Sequence, residues 1–188
     1  CVLLSVWKGL VTTARTPPLR VFAGVVLLCV HGVKRWSDGQ HVLGMSSCED
    51  GLLVKTYKAK KRVHPVIWGA LREGFDSDWG SPFVAALAEA GLPRDDRLVV
   101  RPTVDFKEFT GFPTPWADAN RALRALFAIC GFGAEHAVTH TMHSARHVYP
   151  TCAFQLQLPP AAVTLTGHWA VREGDLAFVY AVSYTHLT

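Results

Sequence analysis

The sequence predicts a mainly α fold with a small antiparallel β-sheet, and three stretches carry that expectation. Phe22, Val25, Val26, Cys29 and Val30 recur at spacings of three and four, the period of a helix that buries one face. Trp116, Ala119, Leu123, Leu126, Phe127 and Cys130 repeat that pattern after Thr114-Pro115. Between these, Leu52-Leu53-Val54 and Val63 to Ile67 flank the basic cluster Lys58 to Arg62, as two strands flank a charged connection.

Taken in order, the chain opens with a leading segment or linker, residues 1–17, closed by the breaker Thr16-Pro17-Pro18. A helix then starts near Leu19 and ends at Gly32. The hairpin follows, with Pro65 marking its second strand as an edge. Arg72 to Gly80, rich in Gly, Asp and Ser, reads as a loop, and Ser81-Pro82 supplies an N-cap and first-turn proline for a helix that Gly91 terminates. Leu92 to Pro113 is expected to be irregular, and the region Arg72 to Pro113 to hold an insertion. Thr114-Pro115 opens the helix stopped by Gly131 and Gly133. His143 to Arg146 lies on a helical segment that Pro150 must start, kink or end. Pro159-Pro160 opens a short helix to Thr166, after which Gly167 presents His168. No internal repeat or low-complexity segment interrupts this order.

Bulk properties bound the function. At 188 residues and 49% hydrophobic content the chain suits one globular domain. A formal charge of +4 is compatible with a polyanionic partner without requiring one. Cys1, Cys29, Cys48, Cys130 and Cys152 are odd in number, scattered and without a C-x-x-C pair, as in proteins of a reducing, intracellular compartment. Val21 to Val30 is the longest apolar stretch, about half the roughly 20 residues a membrane helix needs. No secretory signal is visible, and no membrane partner is expected.

The chemistry-bearing residues fall into an ordered set. Arg35 follows the first helix in His31-Gly32-Val33-Lys34-Arg35-Trp36-Ser37-Asp38. Lys58 lies in the hairpin connection among Lys55, Lys60, Lys61 and Arg62. His143-Ser144-Ala145-Arg146 places a His and an Arg one turn apart, Gly167-His168-Trp169 adds an imidazole beside an indole, and Tyr180 closes the set. Arginine suits a phosphodiester because its planar fork meets two phosphate oxygens at once and its charge does not titrate.

This set resembles the tyrosine recombinase and integrase family, in which H-x-x-R is the second catalytic box, G-H or G-W the third, and a tyrosine near the C-terminus the nucleophile. The resemblance runs from about Phe22 to Tyr180 and implies a catalytic domain over 18–181 with that family's DNA breaking and rejoining fold. It implies a site-specific recombinase of a mobile element, acting through a 3′-phosphotyrosyl intermediate without metal or nucleotide cofactor. Arg35 and Arg146 are the implied phosphate clamp, and Lys58 the acid for the departing 5′ oxygen. His143 is the implied acid or base on the nucleophile, His168 a donor to a phosphate oxygen, and Tyr180 the nucleophile itself. Lys55, Lys60, Lys61 and Arg62 would hold the DNA backbone. Double-stranded DNA is the implied partner, with a homo-multimer on it, in the nucleus if the source is eukaryotic.

Three features depart from the family pattern: the interval from His168 to Tyr180 is long, Pro150 interrupts the second box's helix, and His143 follows Lys58 by a generous 85 residues. The chain begins at Cys1, so an upstream portion is expected, while residues 182–188 resemble the translation of a sequencing-library adaptor. Two other functions remain open: a recombinase-derived DNA-binding module that no longer cleaves, and a metal site built from His136, His140, His143 and His147, which include two i, i+4 pairs.

Overall fold

The computed structural model describes residues 2–40, 42–48, 51–56, 66–71, 73–74, 77–91, 100–103 and 105–161. Its centre is helix α2 (Pro17–His31), whose side chains are buried at almost every position from Pro18 to His31. A helix that is apolar on all sides must be covered on all sides. Helix α1 (Val2–Thr13), α3 (Trp36–Gln40) and α4 (Gly80–Glu89) all pack against it, as do the turn Ser144–His147 and α7 (Val148–Gln155) behind it. At Gly24 a side-chain carbon would run into the Phe83 ring, so glycine is what lets α4 approach α2 this closely.

Residues 2–13 stand differently from the expected leading segment. They form α1, which places Leu4, Trp7 and Val11 in the common core at the helical spacing of three and four. The core therefore extends beyond the breaker at Thr16. That threonine instead ties the loop to the far side of the fold, its hydroxyl donating to the Phe106 carbonyl at 2.6 Å.

The sheet has three strands rather than the two of a bare hairpin. Strands β1 (Val42–Cys48), β2 (Gly51–Thr56) and β3 (Val66–Leu71) are antiparallel in the order β1-β2-β3. The hairpin β2–β3 pairs Thr56 with Val66 at the end where residues 57–65 join the strands. Leu52, Val54 and Thr56 face the core while Leu53 and Lys55 face solvent, the alternation of a sheet covered on one side.

The segment read as a loop contains a two-residue ladder, β4 (Glu73–Gly74) with β5 (Ser77–Asp78). The irregular stretch contains another, β6 (Val100–Pro102) with β7 (Phe109–Pro113). Helix α4 starts at Gly80, so Trp79 and not the expected Ser81 stands at the N-cap, and the Asp78 carboxylate accepts from the Ser81 N–H at 3.0 Å. Helix α5 (Trp116–Ile129) buries Ala119, Ala122, Leu123, Leu126 and Phe127, but Trp116, expected on that face, is 47% exposed in its first turn. After α5 the chain turns through Gly131, at φ +80°, into α6 (Ala134–Thr139). The fold is thus mainly helical with small antiparallel sheets, and among the described residues no helix is long and apolar enough to cross a membrane.

Candidate active site

Arg35 is set by the way α2 ends. The Val33 N–H reaches back to the Val30 carbonyl at 3.1 Å and the Lys34 N–H to the Cys29 carbonyl at 2.9 Å, the paired bonds of a left-handed helix cap. Val33 takes the position usually given to glycine, at φ +51°, and its buried side chain holds it there. The next helix begins at once. The Arg35 carbonyl accepts from the Asp38 and Gly39 N–H groups at 2.9 and 3.3 Å. In return the Asp38 carboxylate accepts from the Arg35 N–H at 3.1 Å, which is half of a capping box. Trp36 anchors the unit: it is buried, packs on Phe22 at 5.9 Å, and its indole N–H donates to the Thr114 carbonyl at 3.2 Å. Arg35 therefore has a fixed backbone and an exposed side chain.

The second box is wound tightly. Ser144 and Thr141 bond reciprocally, the Ser144 N–H to the Thr141 carbonyl at 2.9 Å and the Thr141 N–H to the Ser144 hydroxyl at 3.0 Å. Asn120 on α5 accepts from the Met142 N–H at 2.9 Å, and Met142 is fully buried, so the box is clamped to α5 from below. Ser144–His147 then forms a single 3-10 turn, and α7 starts at Val148. Pro150 explains the change of winding. It has no N–H for the carbonyl four residues earlier, that of Arg146, and its ring would crowd that carbonyl in a continuous α-helix. In the first turn of α7 it is tolerated. A 3-10 turn has three residues per turn, so residues three apart eclipse, and His143 and Arg146 share one side.

The two boxes act on each other. Burial holds the His143 pKa below its ordinary value, and the positive charges of Arg146 and then of Arg35 lower it further. Two guanidinium groups, one after α2 and one before α7, thus bear on a single imidazole. His147 packs edge to face on His143 at 4.9 Å and is pushed down to about 4 by burial, by His143 and by Arg146. Both rings are neutral at pH 7. A neutral His143 can accept a proton, and two cations that bear on its charge can hold an oxyanion. His147 entered the sequence analysis only as a metal ligand; its i, i+4 spacing from His143 was the signal for this second ring.

Beneath the site, the Tyr149 hydroxyl and the His31 Nδ1 are 2.6 Å apart, joining α7 to the end of α2. His31 also stacks on Trp79 at 5.0 Å. This part-buried pair fixes the 3-10 turn relative to the helix that leads to Arg35.

Of the other expected residues, Lys55 is exposed on β2. Lys58, Lys60, Lys61 and Arg62 lie outside the described residues, as do His168 and Tyr180. Of the four histidines of the metal alternative, His136 pairs with Glu135, His140 Nδ1 lies 2.8 Å from the His136 carbonyl, and the His143 and His147 rings pack on each other. Among the described residues no three or more His, Cys, Asp or Glu side chains gather as a metal site would require. The chain matches no protein-family model and no curated protein sequence.

Proposed function

We propose that this chain is the catalytic domain of a tyrosine-type DNA recombinase. The observation that carries the reading is the packing of the H-x-x-R turn against α2, the helix that leads to Arg35. The charges of both arginines, which come from separate parts of the sequence, lower the His143 pKa. The three-stranded sheet supports it too, since residues 57–65, which include Lys58, join its β2 and β3 strands.

In this reading Arg35 and Arg146 bind the equatorial oxygens of a scissile phosphate and stabilise the charge that develops there. The Tyr180 oxygen attacks phosphorus, its proton passes to neutral His143, and the bond from phosphorus to the 5′ oxygen breaks. Lys58 gives that oxygen a proton, and His168 donates a hydrogen bond to a phosphate oxygen. The bond energy is conserved in a 3′-phosphotyrosine, so rejoining needs neither water nor nucleotide. Lys55, Lys60, Lys61 and Arg62 lie along the DNA backbone, and a multimer assembles on the duplex.

A nicked DNA substrate that loses a short 5′ fragment on cleavage tests the proposal by trapping a denaturant-resistant covalent complex. The native chain should form it and Tyr180→Phe should not, while both bind the duplex alike. DNA binding with no covalent complex from either protein would mark a binding module that no longer cleaves. Equal trapping by both would remove Tyr180 from the mechanism.

A further inference from the structure

His143 and His147 stand at the two ends of the 3-10 turn, the first just before it and the second as its last residue. Their burial differs. His147 is only 6% exposed, in a turn packed against α2 and continued by α7, whereas His143 is half-buried. The rings meet at 4.9 Å with their planes 72° apart, one of the arrangements that aromatic pairs prefer. The inner ring is thus a wall, and the outer ring stands against it. Neutrality suits that wall. Pushed down to about 4 by burial and by the charges of His143 and Arg146, His147 carries no charge at pH 7. A cation in its place would oppose protonation of His143, on which the charges of Arg146 and Arg35 already bear.

We propose that His147 is a positioning residue for strand transfer, a role that rests on the recombinase reading: its ring restricts the His143 ring to the orientation that takes the attacking tyrosine's proton. The His143 ring turns about χ1 and χ2, and a proton acceptor works only within hydrogen-bond reach of the proton it removes. The backbone beneath is already set, since Asn120 accepts from the Met142 N–H at 2.9 Å and Ser144 bonds reciprocally with Thr141. What remains to be chosen is the rotamer. A neighbour that disfavours unproductive rotamers raises the fraction of molecules ready to react without touching the DNA. It therefore acts on the cleavage step and leaves binding alone. An edge-to-face pair is worth about two- to tenfold in such an equilibrium.

The test compares His147→Leu, which fills the space without a ring, with His147→Phe, which keeps one, each in the whole chain. Single-turnover cleavage of the nicked DNA substrate and duplex affinity are measured for both. At saturating DNA, His147→Leu should cleave about two- to tenfold more slowly than the native chain with its affinity unchanged, and His147→Phe should stay within about twofold of native. Should the variants fail to fold, the native chain decides the matter by NMR, with the histidine rings assigned through the backbone. Cross-relaxation should join the His143 and His147 ring protons, and His143 should hold a single χ1 rotamer. Native cleavage by His147→Leu, a His147→Phe as slow as His147→Leu, a loss of affinity matching the loss of rate, or a His143 ring that averages over rotamers would each overturn the proposal. A native chain that forms no covalent complex would instead overturn the recombinase reading and this role with it, whatever the NMR contact shows.

Discussion

The charges of Arg35 and Arg146 bear on the same imidazole from opposite circumstances, and substitution should separate what each contributes. The Arg35 side chain is exposed, and the bonds that fix its position belong to its backbone and to Asp38. Arg35→Ala keeps those backbone bonds, so the folding free energy should change by no more than about 0.5 kcal/mol. DNA affinity should fall, and the slope of log affinity against log salt should decrease by about one, as expected for one lost phosphate contact. Arg146 is 9% exposed and packed in the turn between α2 and α7. Arg146→Ala should therefore lower both DNA affinity and stability, the latter by about 1–3 kcal/mol. Urea midpoints and anisotropy titrations at several salt concentrations distinguish the two. If Arg35→Ala destabilises the fold as much as Arg146→Ala does, Arg35 is a structural cation and not a phosphate ligand.

At the scale of elements, helix ends show where local sequence rules hold and where packing overrides them. Helices α4, α5 and α7 each end with a residue in the left-handed region, Gly91, Gly131 and Gln157 respectively, and α2 ends with Val33. Glycine meets this geometry without strain, whereas an L side chain costs roughly 1–2 kcal/mol. Val33 offsets that cost by burial, but Gln157 is exposed and has nothing comparable. Gln157→Gly should accordingly raise stability by about 0.5–1 kcal/mol, and Gly131→Ala, with its φ of +80°, should lower it by about 1 kcal/mol. Thermal melts of the two variants check the pair, and a stabilising Gly131→Ala would contradict the left-handed cap.

The same contrast governs what could be read from the sequence. Helices α2 and α5 were legible because their apolar residues keep a helical period and Gly32 and Gly131 close them. Strand β2 was legible because its apolar run precedes a basic cluster, and β3 only in part, since Val66 and Ile67 fall in the expected run and Trp68 to Leu71 lie beyond it. Strand β1 was not, since Val42 to Cys48 has Gly44 and two serines and alternates weakly; its place comes from pairing with β2. Helix α1 has its buried residues at the right spacing, yet the Thr16-Pro17-Pro18 breaker made it read as a separate segment. In the site, Arg35 and the H-x-x-R box were visible as motifs. The seating of the box on α2 was not, because it depends on α2 packing against the 3-10 turn and on the contact of His31 with Tyr149. Nor was the winding of the box as a 3-10 turn, which follows from Pro150 acting on a carbonyl in three dimensions.

For the whole molecule, the packing of α2 against the second box makes stability depend on keeping several histidines neutral. His31 is pushed down to about 3 by burial and by the nearby Lys8, His147 to about 4, and His143 is lowered by burial and the two arginines. In the unfolded chain each returns to about 6.5. Below that pH the unfolded state takes up protons that the folded state refuses, so it gains relative to the fold. The stabilisation is fully present above about pH 6.5 and is lost as pH falls toward 4, each histidine contributing a slope of up to about 1 kcal/mol per pH unit. On the alkaline side the sign reverses. Burial raises Tyr149 and Cys29 to about 12, so their contribution is present below the unfolded values near 10 and 9 and is lost as pH rises past them. Urea denaturation from pH 4 to 11 should therefore show a plateau from about pH 7 to 9 with a fall on either side. In His31→Phe, which removes one titrating group, the acid limb should be shallower. A midpoint that rises as pH drops from 7 to 5 would mean that these histidines are charged in the folded chain, and the packing of α2 against the His143–Arg146 turn would have to be abandoned with them.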